Sequence, residues 1–255
     1  TSAQGHFTKV VSAVIPTFNR IDLLVQCLRH LKLALDGTEH EIIVVENGND
    51  GSGAFATSEG CKVVVPGCNL GFTGSMNIGT SQALGDELLL LHNDTWIQSN
   101  ALSLLLAARE RHRAAISGAR VTSPNGWRYY EINFRDGRPG QVALRAADPE
   151  PSELCRDRVV PAVKLHLAVI KTAVWRELRG LDYRFVDDYM DVDFALRATD
   201  VGHTTVLAYL TETQHIGGQS VRPWRAAVVA EDGRRFREKW PADKLAAVLT
   251  HQEYR

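Results

Sequence analysis

Four consecutive leucines, Leu88 to Leu91, run straight into His92, Asn93, Asp94 and Thr95. An uninterrupted apolar run of that kind reads as a strand buried on both faces, as in the middle of a parallel sheet. Its end presents an imidazole, an amide and a carboxylate, groups that bind a metal ion or accept hydrogen bonds. In an open α/β sheet, ligands gather outside the carboxyl ends of the strands, so chemistry is expected at this edge. The alternative is a strand followed by a capping turn, which Asn and Asp favour on their own account. A second concentration of acid comprises Asp187, Asp188, Asp191 and Asp193, four carboxylates within seven residues. They repel one another unless a cation, a hydrogen-bond donor or solvent relieves them. Asp191 and Asp193 also open a helical pattern, where acids serve as caps and dipole partners, and that reading stands beside the chemical one.

The elements that must position these groups follow from periodicity. Residues 10–15 form an apolar run stopped at Pro16, and Thr17 to Arg20 follow as a loop with Asn19 as N-cap. Ile21, Leu24, Cys27, Leu28 and Leu31 share one helical face. Residues 41–45 form a second strand, closed by the turn formers Glu46 to Gly51, and residues 61–65 a third. Asn69 to Ser75 lead into a helix carrying Met76, Asn77 and Ala83, and another helix spans about residues 100–111. Residues 115–121 read as a strand, and 127–134 with 141–144 as a hairpin. Residues 146–158, rich in Pro, Asp and Glu, are either a mobile loop over the site or plain surface. Residues 159–170 are β-rich, 172–178 form a short helix and 204–210 a strand. Strands alternating with helices over short connections give an α/β fold, a mostly parallel central sheet with helices on both faces. Glu46 then ends a strand where a carboxylate can take hydrogen bonds from a ribose or base. Gly71 and Gly74 allow a ligand close to the backbone, ahead of a helix N-terminus that suits phosphate. GxGxxG is absent, so a dinucleotide fold has no fingerprint here.

With 255 residues, 44% of them hydrophobic, the chain can bury a core as one large α/β domain or two small ones. A net charge of −1 argues against a general binder of nucleic acid or of membrane surfaces. Basic residues nevertheless gather late, at Arg222, Arg225, Arg234, Arg235, Arg237 and Lys239. There is no apolar run long enough for a transmembrane span, and residues 1–9 show no signal-peptide core and no initiating Met, which suits a trimmed or excised chain. Cys27, Cys61, Cys68 and Cys155 lack metal or framework spacing, so reduced thiols in a cytoplasmic protein are expected.

Four motifs, in order and in register, carry a family resemblance. Val14 to Arg20 is similar to the opening strand and loop of family 2 glycosyltransferases, which have the GT-A fold. Val44-Val45-Glu46-Asn47-Gly48 resembles that family's V-D-N-G-S, with Glu for Asp. Asn69-Leu70-Gly71-Phe72 through Asn77-Ile78-Gly79 resembles N-x-G-F-x-x-x-x-N-x-G. Leu91 to Thr95 resembles L-N-N-D-T, a form of the DxD motif, with His92 for the first Asn. Further on, Leu181 to Arg197 is similar to F-D-x-x-F-x-x-x-x-E-D-x-D-x-x-x-R, with Met190 for Glu, and His215 to Ser220 to H-x-G-G-x-S. The resemblance spans about residues 10–240 and is thinnest over 122–160.

The resemblance implies one GT-A domain, with a nucleotide-sugar half over about residues 10–118, an acceptor and base half over 119–220 and a helical tail over 221–255. It implies an inverting transfer from a nucleotide-diphosphate sugar to a hydroxyl acceptor, namely a glycan, a lipid-linked sugar or a small molecule. Asp191 takes the role of base. Asp94 and His215 would hold Mn²⁺ or Mg²⁺, with His92 either a further ligand or a hydrogen-bonding substitute for Asn. Pro16, Thr17, Asn19 and Glu46 would border the nucleoside; Asn69, Gly71, Asn77, Asn93 and Asp94 would meet the diphosphate or donor sugar. Asp187 or Asp188 could compensate for Met190. His166, Trp127, Tyr129 and Trp224 are candidates for the acceptor, because aromatic faces stack on sugars. The L-N-N-D-T form resembles rhamnosyltransferases and other makers of surface polysaccharide, for which peripheral membrane association is compatible. A binding-only domain on the same fold is the first alternative. A nucleotidyltransferase is the second, although it would show a glycine-rich basic loop where Pro16 to Arg20 stand.

Overall fold

The computed structural model describes residues 10–217 and 225–250. Its elements in chain order are β1 (Val11–Thr17), α1 (Ile21–Ala34), β2 (His40–Glu46), α2 (Ser52–Ser58), β3 (Lys62–Val64), α3 (Gly71–Ser81), β4 (Glu87–Leu91), β5 (Thr95–Trp96) and α4 (Ala101–Arg111). The second half adds β6 (Ile116–Ala119), β7 (Val121–Ser123), β8 (Trp127–Arg135), β9 (Arg138–Arg145), β10 (Arg158–Val159), β11 (Leu167–Lys171), α5 (Thr172–Glu177), α6 (Met190–Asp200), β12 (Thr205–Ala208), β13 (Gln214–His215), α7 (Arg225–Lys239) and α8 (Ala242–Thr250).

The leucine run forms β4, fully buried, between β1 and β11 in an eight-stranded sheet ordered β10-β12-β6-β11-β4-β1-β2-β3. Pairing is parallel except that β11 runs antiparallel to β4 and β6, and β10 antiparallel to β12. Strand alternation divides the leucines between two cores. Leu88 and Leu90 join Val14, Ile43 and Met76 with α6 residues Phe194 and Leu196. Leu89 and Leu91 join Ile15 and Val44 with Leu24, Leu28 and Leu31 of α1 and Leu102 and Leu105 of α4. Helices therefore cover both faces, which is why the strands read as unbroken apolar runs. Helix α3 lies so close to the sheet that a Cβ on Gly79 would sit 2.5 Å from Val14 and 2.9 Å from Val45.

A smaller five-stranded sheet, ordered β5-β13-β7-β8-β9, stands beyond the carboxyl end of β4. The expected strand over residues 115–121 breaks at Arg120, so that β6 serves the large sheet and β7 the small one. The expected hairpin forms as β8 and β9, turning at Asp136 and Gly137, both at positive φ. Helix α2 follows the Glu46 to Gly51 turn, in a stretch where the sequence predicts no element. Residues 146–158 are anchored rather than loose: Glu150 accepts hydrogen bonds from Arg128 (2.8 Å), Tyr209 (3.0 Å), Arg120 (3.4 Å) and the Tyr130 hydroxyl. Only the ends of residues 159–170 are strand; the stretch between crosses the site as a loop, fixed by the Ile132–Ala162 bridge, and Pro161 brings no amide hydrogen to a ladder. Asn19 does not cap α1. Its backbone takes φ 51° and its side chain accepts the Asn49 amide at 3.0 Å, while Asp50 accepts the Ile21 amide at 2.7 Å in the capping role.

Candidate active site

Strand register brings the polar residues together. The antiparallel pairing of β4 with β11 sets Leu91 opposite Leu167, and one step further the His92 amide donates to the His166 carbonyl at 3.0 Å. In the small sheet His215 pairs with Thr95, and the Ile216 amide donates to the Asp94 carbonyl at 3.0 Å. His92, Asp94, His166 and His215 consequently converge from three segments. Asp94 Oδ1 lies 3.2 Å from His215 Nε2 and 3.7 Å from His92 Nδ1, while Oδ2 accepts the Gly217 amide at 3.2 Å. The His166 ring stacks on that of His215, with centroids 4.5 Å apart and planes within 13°. His92 meets His215 edge-on at 5.4 Å.

His92, Asp94 and His215 offer donor atoms within 4.8 Å of one another, and among the described residues no other group of three such side chains does so. Asp94 Oδ1 is buried without a hydrogen-bond partner. Burial pushes the Asp94 carboxyl up, yet His215 and His92 outweigh it and hold the group at about 2. Burial drives His92 down to about 4 and His166 well below its ordinary value. At neutral pH the site therefore presents a carboxylate with neutral His92 and His166. A carboxylate with an unsatisfied oxygen beside two imidazoles fits a divalent cation. Imidazole suits Mn²⁺ better than Mg²⁺, which prefers oxygen.

These groups face a cleft of about 1030 Å³, and Pro16, Thr17, Asn69, Gly71, Asn93 and Asp191 share its walls. Asn93 donates to the Thr17 hydroxyl at 3.0 Å. Asn47, which the motif comparison did not single out, ties the end of β2 to α3: its Oδ1 accepts the Leu70 amide at 3.1 Å and the Ser75 hydroxyl at 2.9 Å. Three expected residues lie outside this lining. Glu46 leans over Gly53 of α2, where a Cβ would meet its Oε2. Asn19 braces the β2 turn as above. Asn77 spends both ends of its amide on the backbone of Leu181, at 2.9 and 2.8 Å. Of the aromatic candidates, His166 and Tyr129 line the cleft, whereas the Trp127 ring carries the Arg145 guanidinium 5.0 Å from its centroid. Trp224 and the Gly218 to Ser220 part of the H-x-G-G-x-S segment fall outside the described residues.

The acidic cluster separates by role. Asp193, in the first turn of α6, accepts from Arg197 (2.8 Å) and from the Trp240 indole (2.9 Å), and Lys239 lies 2.6 Å away. Asp187 pairs with Arg225 at 2.8 Å. Asp188 and Asp191 instead share Lys164, at 3.0 and 3.1 Å. Asp191 is only 4% exposed, and its pKa is raised, first by burial and then by Asp188, against the pull of Lys164. Met190, in the place of the usual acid, is buried, and Asp188 is the carboxylate that accompanies Asp191. Sequence reasoning passed over Lys164, although one cation in the apolar stretch 159–170 was a visible signal. It also passed over Asp232 of α7, a fully buried carboxylate whose Oδ2 accepts the amides of Val186, Asp187 and Asp188 at 3.0, 2.9 and 3.1 Å.

Residues 12–152, more than half of the chain, match the family model for glycosyl transferase family 2. The chain belongs to glycosyl transferase family 2. Structures similar to it share its GT-A architecture. GalNAc-T7, crystallised with UDP, GalNAc and Mn²⁺, superposes with a TM-score of 0.67 at 16% identity, over 93% of this chain and 49% of its own. TarS residues 1–349 from S. aureus superpose with 0.58 at 15% identity, over 89% of this chain and 72% of that one. The same protein in complex with UDP-GlcNAc gives 0.57 at 16% identity, over 92% and 71%. The chain thus spans about half the length of GalNAc-T7. No curated protein matches it. Among the described residues no helix is long and apolar enough to cross a membrane.

Proposed function

We propose that this family 2 member moves a hexosyl or deoxyhexosyl group from a nucleoside-diphosphate sugar to a hydroxyl acceptor, with Asp191 as the base. One observation carries the reading: the His92–Asp94–His215 cluster and a buried carboxylate of raised pKa face the same cleft. One such base and one leaving group make a single displacement, which inverts the anomeric carbon.

The residues divide the labour. Pro16 and Thr17 border the nucleoside, while Asn19 and Glu46 act behind them, on the β2 turn and on α2. The N-terminus of α3 begins at Gly71 in the cleft wall, and its amides and dipole favour the diphosphate. Asn69 and Asn93 orient the donor, and Asn77 serves it indirectly by holding the Leu181 backbone that leads towards the base. Asp94 and His215, with His92, would hold Mn²⁺ or a similar cation, whose Lewis acidity stabilises the departing diphosphate. Asp191 takes the proton of the acceptor hydroxyl, a contribution of about 10²–10⁴ in rate. Its burial helps, because a carboxylate with a raised pKa is a stronger base once ionised. The acceptor enters from the side lined by Tyr129, Gln141 and Ser123, where hydroxyl and amide groups suit a sugar or polyol.

Calorimetric titration of UDP, UDP-hexoses and deoxyhexose nucleotides with and without Mn²⁺ tests the reading. Saturable binding of one nucleotide sugar that requires Mn²⁺ and is lost in Asp94→Asn is expected. Absence of binding by every nucleotide sugar in the presence of Mn²⁺ would refute it.

A further inference from the structure

Lys164 occupies an unusual place for a lysine. It lies in the loop that crosses the cleft between β10 and β11, between the buried side chains of Val163 and Leu165. The loop cannot shift easily: Ala162 is buried, and its carbonyl accepts the Ile132 amide at 2.8 Å. From this fixed support the ammonium reaches Asp188 Oδ1 at 3.0 Å and Asp191 Oδ2 at 3.1 Å. The other contacts of the two acids are local. Asp191 Oδ1 takes the Val192 amide at 2.9 Å, and Asp188 Oδ1 takes the Tyr189 amide at 2.9 Å.

A structural role alone explains this poorly. Of the three ions only Asp191 is buried, its side chain 5% exposed, whereas Lys164 and Asp188 keep 28% and 32% of theirs in contact with solvent, so holding Asp191 charged carries the main desolvation cost. One acid would suffice to satisfy the lysine. The arrangement makes sense if Asp191 has to carry charge while buried, a state that desolvation and the neighbouring Asp188 both oppose. We propose that Lys164 is the positioning residue of the base: held between Asp188 and Asp191, it supplies the counter-charge that keeps Asp191 ionised and fixes the direction of its Oδ2. The role rests on the reading of Asp191 as base.

The neighbouring charges leave this duty to Lys164. Arg225 of α7 is committed to Asp187, and Lys239 and Arg197 to Asp193. His166, two residues along the same loop, is kept neutral by burial. Helix α8, packed against α6, buries the apolar Leu245 and Val248. The Asp94 carboxylate, which lines the same cleft, lies 3.2 Å from His215 and 3.7 Å from His92.

The test is a titration of Asp carboxyl carbons by ¹³C NMR in the full chain, with the Asp191 signal assigned through Asp191→Asn. Lys164→Met should raise the Asp191 midpoint by about one pH unit or more, and Lys164→Arg should restore most of it. Lys164→Gln, which keeps a hydrogen bond without the charge, should behave like Lys164→Met and serves if that variant does not fold. Hydrolysis of UDP-GlcNAc or another bound UDP-sugar with Mn²⁺ gives a second readout. Below the midpoint, kcat should fall about tenfold for every pH unit by which the midpoint rises, while the donor KM stays constant. An Asp191 midpoint unchanged in both Lys164→Met and Lys164→Gln overturns the proposal. So does a Lys164→Arg variant as impaired as Lys164→Met. The two readings fail separately. Donor turnover with an unmoved midpoint leaves Asp191 as base and removes Lys164; a moved midpoint in a protein that turns over no nucleotide sugar removes the base.

Discussion

With Asp191 as the proposed base, this one residue should set the pH dependence of turnover. Burial, and then Asp188, raise its pKa above the ordinary 3.8, and Lys164 resists only in part. The base works ionised, so kcat should fall as pH drops through this raised value, with an acid limb above the ordinary aspartate range; a pH–rate profile at saturating donor checks this. Stability runs the other way. The folded state holds the Asp191 proton more tightly than the unfolded one, so this group's contribution is lost as pH rises from 3.8 through the raised pKa. On the donor side, His215→Ala removes a donor atom and the 3.2 Å partner of Asp94. Mn²⁺ affinity by calorimetry should drop by more than the roughly 10–100-fold that losing an outer-shell partner costs. Residue identity was legible wherever a motif encodes a local arrangement, as at His92 to Asp94 or Asp191. Glu150 and Asp232 were not, because the partners that define them stand 20 or some 45 residues away along the chain. Lys164 stood out by its charge, but its partner 24 residues away did not.

At the level of elements, α7 acts as a comb over the segment that leads to Asp191, the proposed base. Arg225 holds Asp187, Arg235 donates to the Arg184 carbonyl at 2.6 Å, and Lys239 lies 2.6 Å from Asp182. Of the late basic residues noted in the sequence, Arg225, Arg234, Arg235 and Lys239 are thus engaged by acids and carbonyls of the same chain. Asp232 is central to the comb, since one oxygen satisfies three successive amides just before Tyr189 turns the chain at φ 65° into α6. Asp232→Ala leaves three part-buried amides without their acceptor, where a fully buried one would cost about 1–3 kcal/mol. We expect a stability loss of about 3 kcal/mol by denaturant unfolding, with kcat reduced more than donor affinity. The elements themselves were legible because β1 and β4 read as apolar runs and α1 keeps an apolar period of 3.6. The break at Arg120 and the loop over residues 160–166 were not, because both answer to which sheet or cleft lies opposite, a fact of tertiary structure.

On the scale of the whole molecule, the carboxyl end of β4, the small sheet and the start of α6 meet at one cleft, which His92, Asp94, His215 and Asp191 all line. A ligand that spans the cleft should stabilise the fold by mass action. At a hundredfold excess over Kd this amounts to about 2.7 kcal/mol, or about 5–10 °C in Tm for a chain of this size. A thermal melt with Mn²⁺ and the preferred nucleotide sugar should show that shift, and chelation by EDTA should remove it. The central claim is that Asp191 removes the acceptor proton in a cleft built to bind the donor. The most direct measurement is turnover of the bound nucleotide sugar, followed by NMR, in wild type and Asp191→Asn, with donor Kd determined for both. The expected result is a kcat lower by about 10²–10⁴ with donor Kd unchanged. Equal turnover in the two proteins would contradict the account.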